Sequence, residues 1–196
     1  MAVADGVRRG AVVGVAVVGW PALTACSYAT LPLVGRLPLA GWPILAGCWV
    51  WAVGASVAVA ALLVRRRRRW RAIGCVVATL VLGCAVATTD WPRAYADSQF
   101  RLQRGGLAHL AARHRAGALP PDALLPPRLR YLSIDGQAHR TGDALYLPAW
   151  RDWRGENGGG FAYFPTTPGR DTSIVTAPGD MGHPVRYLGD GWWWVE

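Results

Sequence analysis

The chain of 196 residues contains no lysine, so its 21 cationic side chains are all arginine, as codon bias in a GC-rich bacterial genome produces. Cysteine is absent after position 84, and the second half of the chain therefore cannot hold a disulfide of its own. Three long apolar stretches, at about 11–34, 43–64 and 72–89, contain no Asp, Glu, Lys, Arg or His. Ionisable groups inside membrane spans mark ion and proton pathways, so their absence argues against a transporter or pump. The chain has no H-E-x-x-H pattern, no paired Cys/His spacing, no phosphate loop and no dinucleotide fingerprint. No Ser or Cys stands in a nucleophile-elbow context. No metal, no cofactor and no particular reaction is therefore expected, and the reading leans away from an enzyme.

The apolar stretches themselves dominate what is present. A helix needs about 20 apolar residues to cross the hydrocarbon layer. Each stretch is read as a transmembrane span, giving a membrane domain over 1–89. Pro21 and Pro32 are expected to bend the first span, because proline removes a backbone hydrogen bond. Trp20, Trp42, Trp70 and Trp91 fall near span ends, where indole rings favour the headgroup region. Between the second and third spans lie six arginines in seven residues: Arg65, Arg66, Arg67, Arg68, Arg69 and Arg71.

The net charge of +9 invites a nucleic-acid reading, but its distribution argues against one. Residues 1–89 carry nine Arg and one acid, whereas residues 90–196 carry twelve Arg and eleven acids. The positive excess belongs to the apolar half, where arginine is retained on the cytoplasmic side. Arg8 and Arg9 put the amino terminus inside and the Arg65–Arg71 connector puts the second loop inside. The carboxyl-terminal half is then expected outside a bacterial cell membrane. The arginine run is expected to meet lipid headgroups, chiefly as a topology anchor.

Cys26, Cys48, Cys75 and Cys84 are read as small packing residues; Cys75 and Cys84 lie ~13 Å apart along a helix, too far to bridge. Small residues recur every fourth position at Ala52, Ser56 and Ala60, and at Cys75, Thr79, Gly83 and Ala87. Such stripes let helices approach closely, toward each other or toward a second copy of the chain. Leu23-Thr24-Ala25-Cys26 resembles a lipobox, whose cleavage leaves the cysteine acylated at a new amino terminus. Pro21 and the two further spans fit that processing poorly, and an uncleaved chain is the expectation.

From Asp90 the signals change. A helix is expected over about 93–115, weakened by Gly105-Gly106 and followed by a linker imposed by Pro120, Pro121, Pro126 and Pro127. Short strands are expected at 129–134, 144–148, 160–164, 172–177, 185–188 and 192–195. Turn formers separate them: Asp135-Gly136, Asn157-Gly158-Gly159, Pro168-Gly169, Pro178-Gly179 and Gly189-Asp190-Gly191. The expected architecture is three transmembrane α-helices plus a small extracytoplasmic α+β domain. That domain comprises an exit helix and linker over 90–127 and an antiparallel sheet over 128–196.

The tract Trp192-Trp193-Trp194 is the most unusual local feature. Strand side chains alternate, so Trp192 and Trp194 share a face and Trp193 takes the other. With Tyr163 and Tyr187 these rings are candidate binding residues, since exposed aromatics stack on sugars or partner side chains. The plainer reading is a core of large rings. His109 and His114, five apart, point to different faces of a helix. Asp171, Asp180 and Asp190 sit in glycine-containing loops, but their spacing matches no calcium loop. Asp180 and His183 are a candidate acid–base pair without a nucleophile.

The short tract Gly189 to Trp194, after a few amino-terminal spans, resembles uncharacterised actinobacterial membrane proteins, a likeness that implies location and no activity. The leading expectation is a non-catalytic membrane protein whose outer domain contacts a protein or the cell envelope. Alternatives are an envelope hydrolase using Asp180 and His183, or an accessory subunit packed through the small-residue stripes.

Overall fold

A computed structural model describes residues 18–37, 39–152 and 154–196. Arg8, Arg9, the first part of the expected first span and Trp153 lie outside the described residues. The described chain divides into two compact units. One comprises residues up to Thr30 together with Gly41–Trp91, and the other Leu31–Ala40 with Pro92–Glu196.

In the first unit, residues 18–28 are helical (α1), and the chain turns at Ala29 before a short helix α2, Thr30–Arg36. Pro32 gives a reason for the interruption: it has no N–H to offer the carbonyl of Tyr28 four residues earlier. α2 belongs almost wholly to the second unit. Helices α3 (Gly41–Arg65) and α4 (Arg69–Thr88) are long and apolar enough to cross a membrane. Among the described residues these are two candidate spans; a third is not shown.

Their connector is shorter than the seven residues expected. Only Arg66–Arg68 lie between the helices, and the other three arginines extend the helix ends. Arg67 takes φ +58°. Its N–H donates to the carbonyl of Val64 at 2.9 Å, and that of Arg68 to Leu63 at 3.0 Å. This closes α3 in a Schellman motif, the left-handed cap that more often carries glycine. All six arginines are exposed.

The small-residue stripes are used inside the chain. Gly19 of α1 lies so close to α3 that an added Cβ falls 3.0 Å from the Cα of Ala52. Trp20 Nε1 donates to Ser56 Oγ at 3.1 Å, and Ser56 Oγ donates to the Ala52 carbonyl at 2.8 Å. Cys75 Sγ lies 3.7 Å from the Ser56 carbonyl, and Gly83 faces the rings of Trp20 and Trp49. Leu23, Ala52 and Val86 form the buried centre.

The second unit is a helix on an antiparallel sheet. α5 spans Trp91–Arg115, two residues longer at its start than expected. It runs unbroken through Gly105-Gly106, because Leu129 packs against Gly106 where a Cβ would lie 3.0 Å from its Cδ2. Its buried residues Ala96, Phe100, Leu107 and Ala111 recur at steps of four and seven, as one face of a helix does. Eight strands follow: β1 (Asp122–Leu124), β2 (Gln137–Thr141), β3 (Ala144–Arg151), β4 (Gly158–Tyr163), β5 (Ile174–Ala177), β6 (Asp180–Gly182), β7 (Pro184–Gly189) and β8 (Trp192–Val195). Six form one sheet in the order β1-β2-β3-β4-β8-β7, and β5-β6 is a separate two-stranded ribbon.

Several strand expectations change. The strand expected at 129–134 is a 3-10 turn, Arg130–Leu132, because its buried leucines Leu129 and Leu132 recur at three residues and not two. β1 lies within the segment expected to be a bare linker; Ala123 is buried there and pairs with Ala138. The final hairpin turns on two residues, Asp190 and Gly191, with φ of +52° and +81°, and not on the expected three of Gly189-Asp190-Gly191, because Gly189 ends β7 and pairs with Trp192. Positive φ at both is what a type I′ turn requires. α5 holds this turn through Arg104, whose Nε donates to Asp190 Oδ2 at 2.7 Å and Nη2 to Oδ1 at 3.1 Å.

Candidate functional site

The register sorts the aromatic rings by face. Trp192 pairs with Tyr163, Trp193 with Ala162, and Trp194 with Phe161. α5 covers the first and third of these pairs. His114 of α5 meets Tyr163 edge-on with ring centroids 6.0 Å apart. Asp97 of α5 accepts from Arg186 Nη2 at 2.5 Å, and Arg186 is the cross-strand partner of Trp194. Trp192 and Trp194 are 0% and 3% exposed, and Tyr163 is buried beside them. These three side chains are core. The five candidate rings therefore do not form one surface.

The opposite face carries a different set. Cross-strand partners Asp122, His139, Tyr146, Ala162, Trp193 and Tyr187 form one row across all six strands. The β5-β6 ribbon covers the middle of this face. Ile174 packs there with Ala144, Tyr146, Ala162, Phe164 and Val195, and the partly buried Trp193 borders the cluster. At one end Tyr187 remains 58% exposed. Its ring lies 5.2 Å from that of Trp193 at 56°, a tilted pair on the edge strand β7. Val185, on the same strand, is also exposed.

The other end of the row holds a polar network that sequence reasoning missed. His139 Nδ1 lies 2.7 Å from Asp122 Oδ1, and its Nε2 lies 2.8 Å from Asp135 Oδ2. Asp135 Oδ1 accepts from Ser133 Oγ at 2.6 Å and from the Gln137 N–H at 2.9 Å. The only local signals are the Asp135-Gly136 turn and the i,i+4 spacing of Asp135 and His139. Asp122 joins from a strand 17 residues away, which no local pattern reveals. Ser133 resembles a nucleophile beside an acid and a histidine, but it is 1% exposed and its proton points to a carboxylate. A substrate does not reach it there, so the network ties β1, β2 and the preceding turn together.

Burial penalises the His139 cation, but hydrogen bonds to Asp122 and Asp135 outweigh it and raise the imidazole above its ordinary 6.5. Burial likewise opposes ionisation of Asp135, yet hydrogen bonds from Ser133, His139 and Gln137 hold its carboxyl below 3.8. The stabilisation from His139 is complete below 6.5 and is lost as pH rises through its raised folded value. That from Asp135 is complete above 3.8 and is lost as pH falls through its lowered folded value. The urea midpoint of this domain is therefore expected to decline on both sides of that window. His139→Gln is expected to abolish the alkaline decline; an unchanged decline would assign it to another group.

Asp180 and His183 are engaged separately. Asp180 Oδ2 accepts from Thr176 Oγ1 at 2.6 Å and from the Gly158 N–H at 3.3 Å, closing the β5-β6 turn onto β4. His183 Nδ1 lies 3.1 Å from the Thr172 carbonyl. His109 is exposed on α5, and Nε2 of His114 lies 2.9 Å from the Asp143 carbonyl. Among the described residues no three His, Cys, Asp or Glu groups are placed to hold a metal ion. Comparison with protein-family models, curated proteins and solved structures finds no match.

Proposed function

We propose that this chain is a non-catalytic, multi-span protein of a bacterial cell membrane, whose sheet domain lies outside the cytoplasm and contacts a protein or cell-envelope partner. Two apolar helices joined by an exposed turn of arginines support the membrane reading. A cytoplasmic turn between α3 and α4 directs the chain after α4 outward. The single observation that carries the contact reading is the Tyr187–Trp193 pair, an aromatic surface left uncovered at the sheet edge. Large rings of this kind supply contact area at small entropic cost and are enriched where partners bind.

Location and contact are tested with one set of variants. In a chain whose native cysteines are replaced by alanine, Tyr187→Cys is expected to react with a membrane-impermeant maleimide in intact cells. Arg67→Cys is expected to react only after lysis. Equal labelling of both positions overturns the topology. Tyr187→Ala combined with Val185→Ser is then expected to reduce capture of surface proteins and envelope glycan while leaving the urea midpoint near wild type. Undiminished capture removes this surface from the reading.

A further inference from the structure

Two cysteines on different helices of the first unit place their sulfurs side by side. Cys48 Sγ lies 3.3 Å from Cys26 Sγ. The contact belongs to a continuous seam between α1 and α3. Gly19, Leu23 and Cys26 recur at steps of four and three and share one face of α1. Cys48, Ala52 and Ser56 recur at steps of four and share one face of α3. Gly19 sits against Ala52 and Trp20 bonds Ser56, so the helices run antiparallel and Cys26 meets Cys48 in register. Cys75 is engaged elsewhere, its Sγ facing the Ser56 carbonyl two turns further along α3.

A disulfide holds its sulfurs ~2.05 Å apart, so this pair closes by moving about 1.3 Å, a distance that small side-chain rotations supply. Both cysteines are half-buried. The pair also lies toward one end of the unit. Along the helix axis Cys48 is about 10 Å from Gly41 and about 25 Å from Arg65. In the orientation proposed above, the Gly41 end faces away from the cytoplasm, the side of the membrane where disulfides form and persist.

We propose that Cys26 and Cys48 close to a disulfide that fastens α1 to α3. The step is a thiol–disulfide exchange with a disulfide-bearing oxidant of the cell envelope. One cysteine thiolate attacks the oxidant's disulfide and releases one of its thiols. The second cysteine then displaces the other thiol from the mixed disulfide. The two cysteines lose two electrons and two protons, and the oxidant gains them as two thiols. The sulfur pair stands on helix packing alone, whereas its oxidation rests on the outward orientation. A sulfur held in this bridge is closed to acylation. The seam also uses Gly19, Trp20 and Leu23, all of which cleavage before Cys26 removes.

The test uses the full chain carrying Cys75→Ala and Cys84→Ala, made in bacterial cells. The cells are quenched in acid, and the chain is denatured in excess N-ethylmaleimide. Intact mass is expected to show no added maleimide without reductant and two after dithiothreitol. Two maleimides without reductant overturn the bridge, and so does a reducible dimer in place of an internal link. The labelling of Tyr187→Cys reads the orientation separately. External labelling there with Cys26 and Cys48 still reduced overturns the bridge alone. Labelling of Tyr187→Cys only after lysis overturns the orientation and, with it, the oxidation.

Discussion

Trp192→Ala is expected to destabilise the sheet domain by about 3–5 kcal/mol, the range for emptying a fully buried large aromatic site. Domains of this size have only ~5–15 kcal/mol in total, so much of the folded population is at risk. Trp192 is 0% exposed, pairs with Tyr163 across β4 and β8, and holds its ring 5.6 Å from the tyrosine ring. Among the described residues its indole N–H has no partner, so Trp192→Phe is expected to cost less than the alanine change. Trp193→Ala is expected to cost less as well, because that ring is only partly buried. Urea unfolding of the full chain in detergent, followed by protease resistance of the domain, gives the comparison. A 3–5 kcal/mol loss corresponds to a midpoint shift of more than about 1 M urea at the usual slopes. Equal midpoints for the alanine variants at 192 and 193 would contradict the face assignment.

Gly160→Ala is expected to have the next largest effect. A Cβ at Gly160 falls 2.1 Å from the Leu147 carbonyl oxygen and 2.7 Å from the Ala149 nitrogen. Both are backbone atoms of the neighbouring strand, and no rotamer change relieves the contact. The register of β3 against β4 shifts between Pro148 and Trp150, leaving Ala149 without a ladder partner. This bulge presses the β3 backbone toward β4, and only a residue without a side chain fits opposite it. Overpacking costs typically ~1–3 kcal/mol, and a clash with backbone belongs at or above the upper end. Gly54→Ala is the control, since nothing lies within 4 Å of a Cβ there. A Gly160→Ala midpoint matching that control would mean the bulge is not formed.

The same glycine shows why local reading stops where it does. Asn157-Gly158-Gly159 has turn composition, and a turn is the reasonable inference from propensity. In the structure Gly158 and Gly159 are buried strand residues, held that way by the close approach of Trp150 and the neighbouring backbone. Tertiary contact overrides propensity there. β1 and β2 were likewise illegible: three residues between prolines, and a short strand rich in polar side chains, carry no alternation to detect. By contrast β8 is legible to the residue, because Asp190-Gly191 marks its start and four large apolar side chains fill it.

The candidate sites divide in the same way. The Trp triplet is visible in the sequence, and so is the fact that its members alternate. Tyr146 and Arg151 have no local signature at all. Their place in the walls of one cavity depends on a ribbon more than twenty residues later in the chain folding over them. The network of Asp122, Asp135 and His139 depends on strand pairing across 17 residues.

The sequence by itself determined the two apolar helices, the exposed arginine turn between them, and the alternation of the Trp tract. These follow from hydrophobicity, charge and backbone period, which are properties of neighbouring residues. Tertiary structure alone decided that α5 covers Trp192 and Trp194, that Tyr187 and Trp193 stay at an uncovered edge, and that Tyr146 and Arg151 share a cavity. Strand alternation separates two faces but does not say which one a helix will cover. Long-range register and packing make that choice.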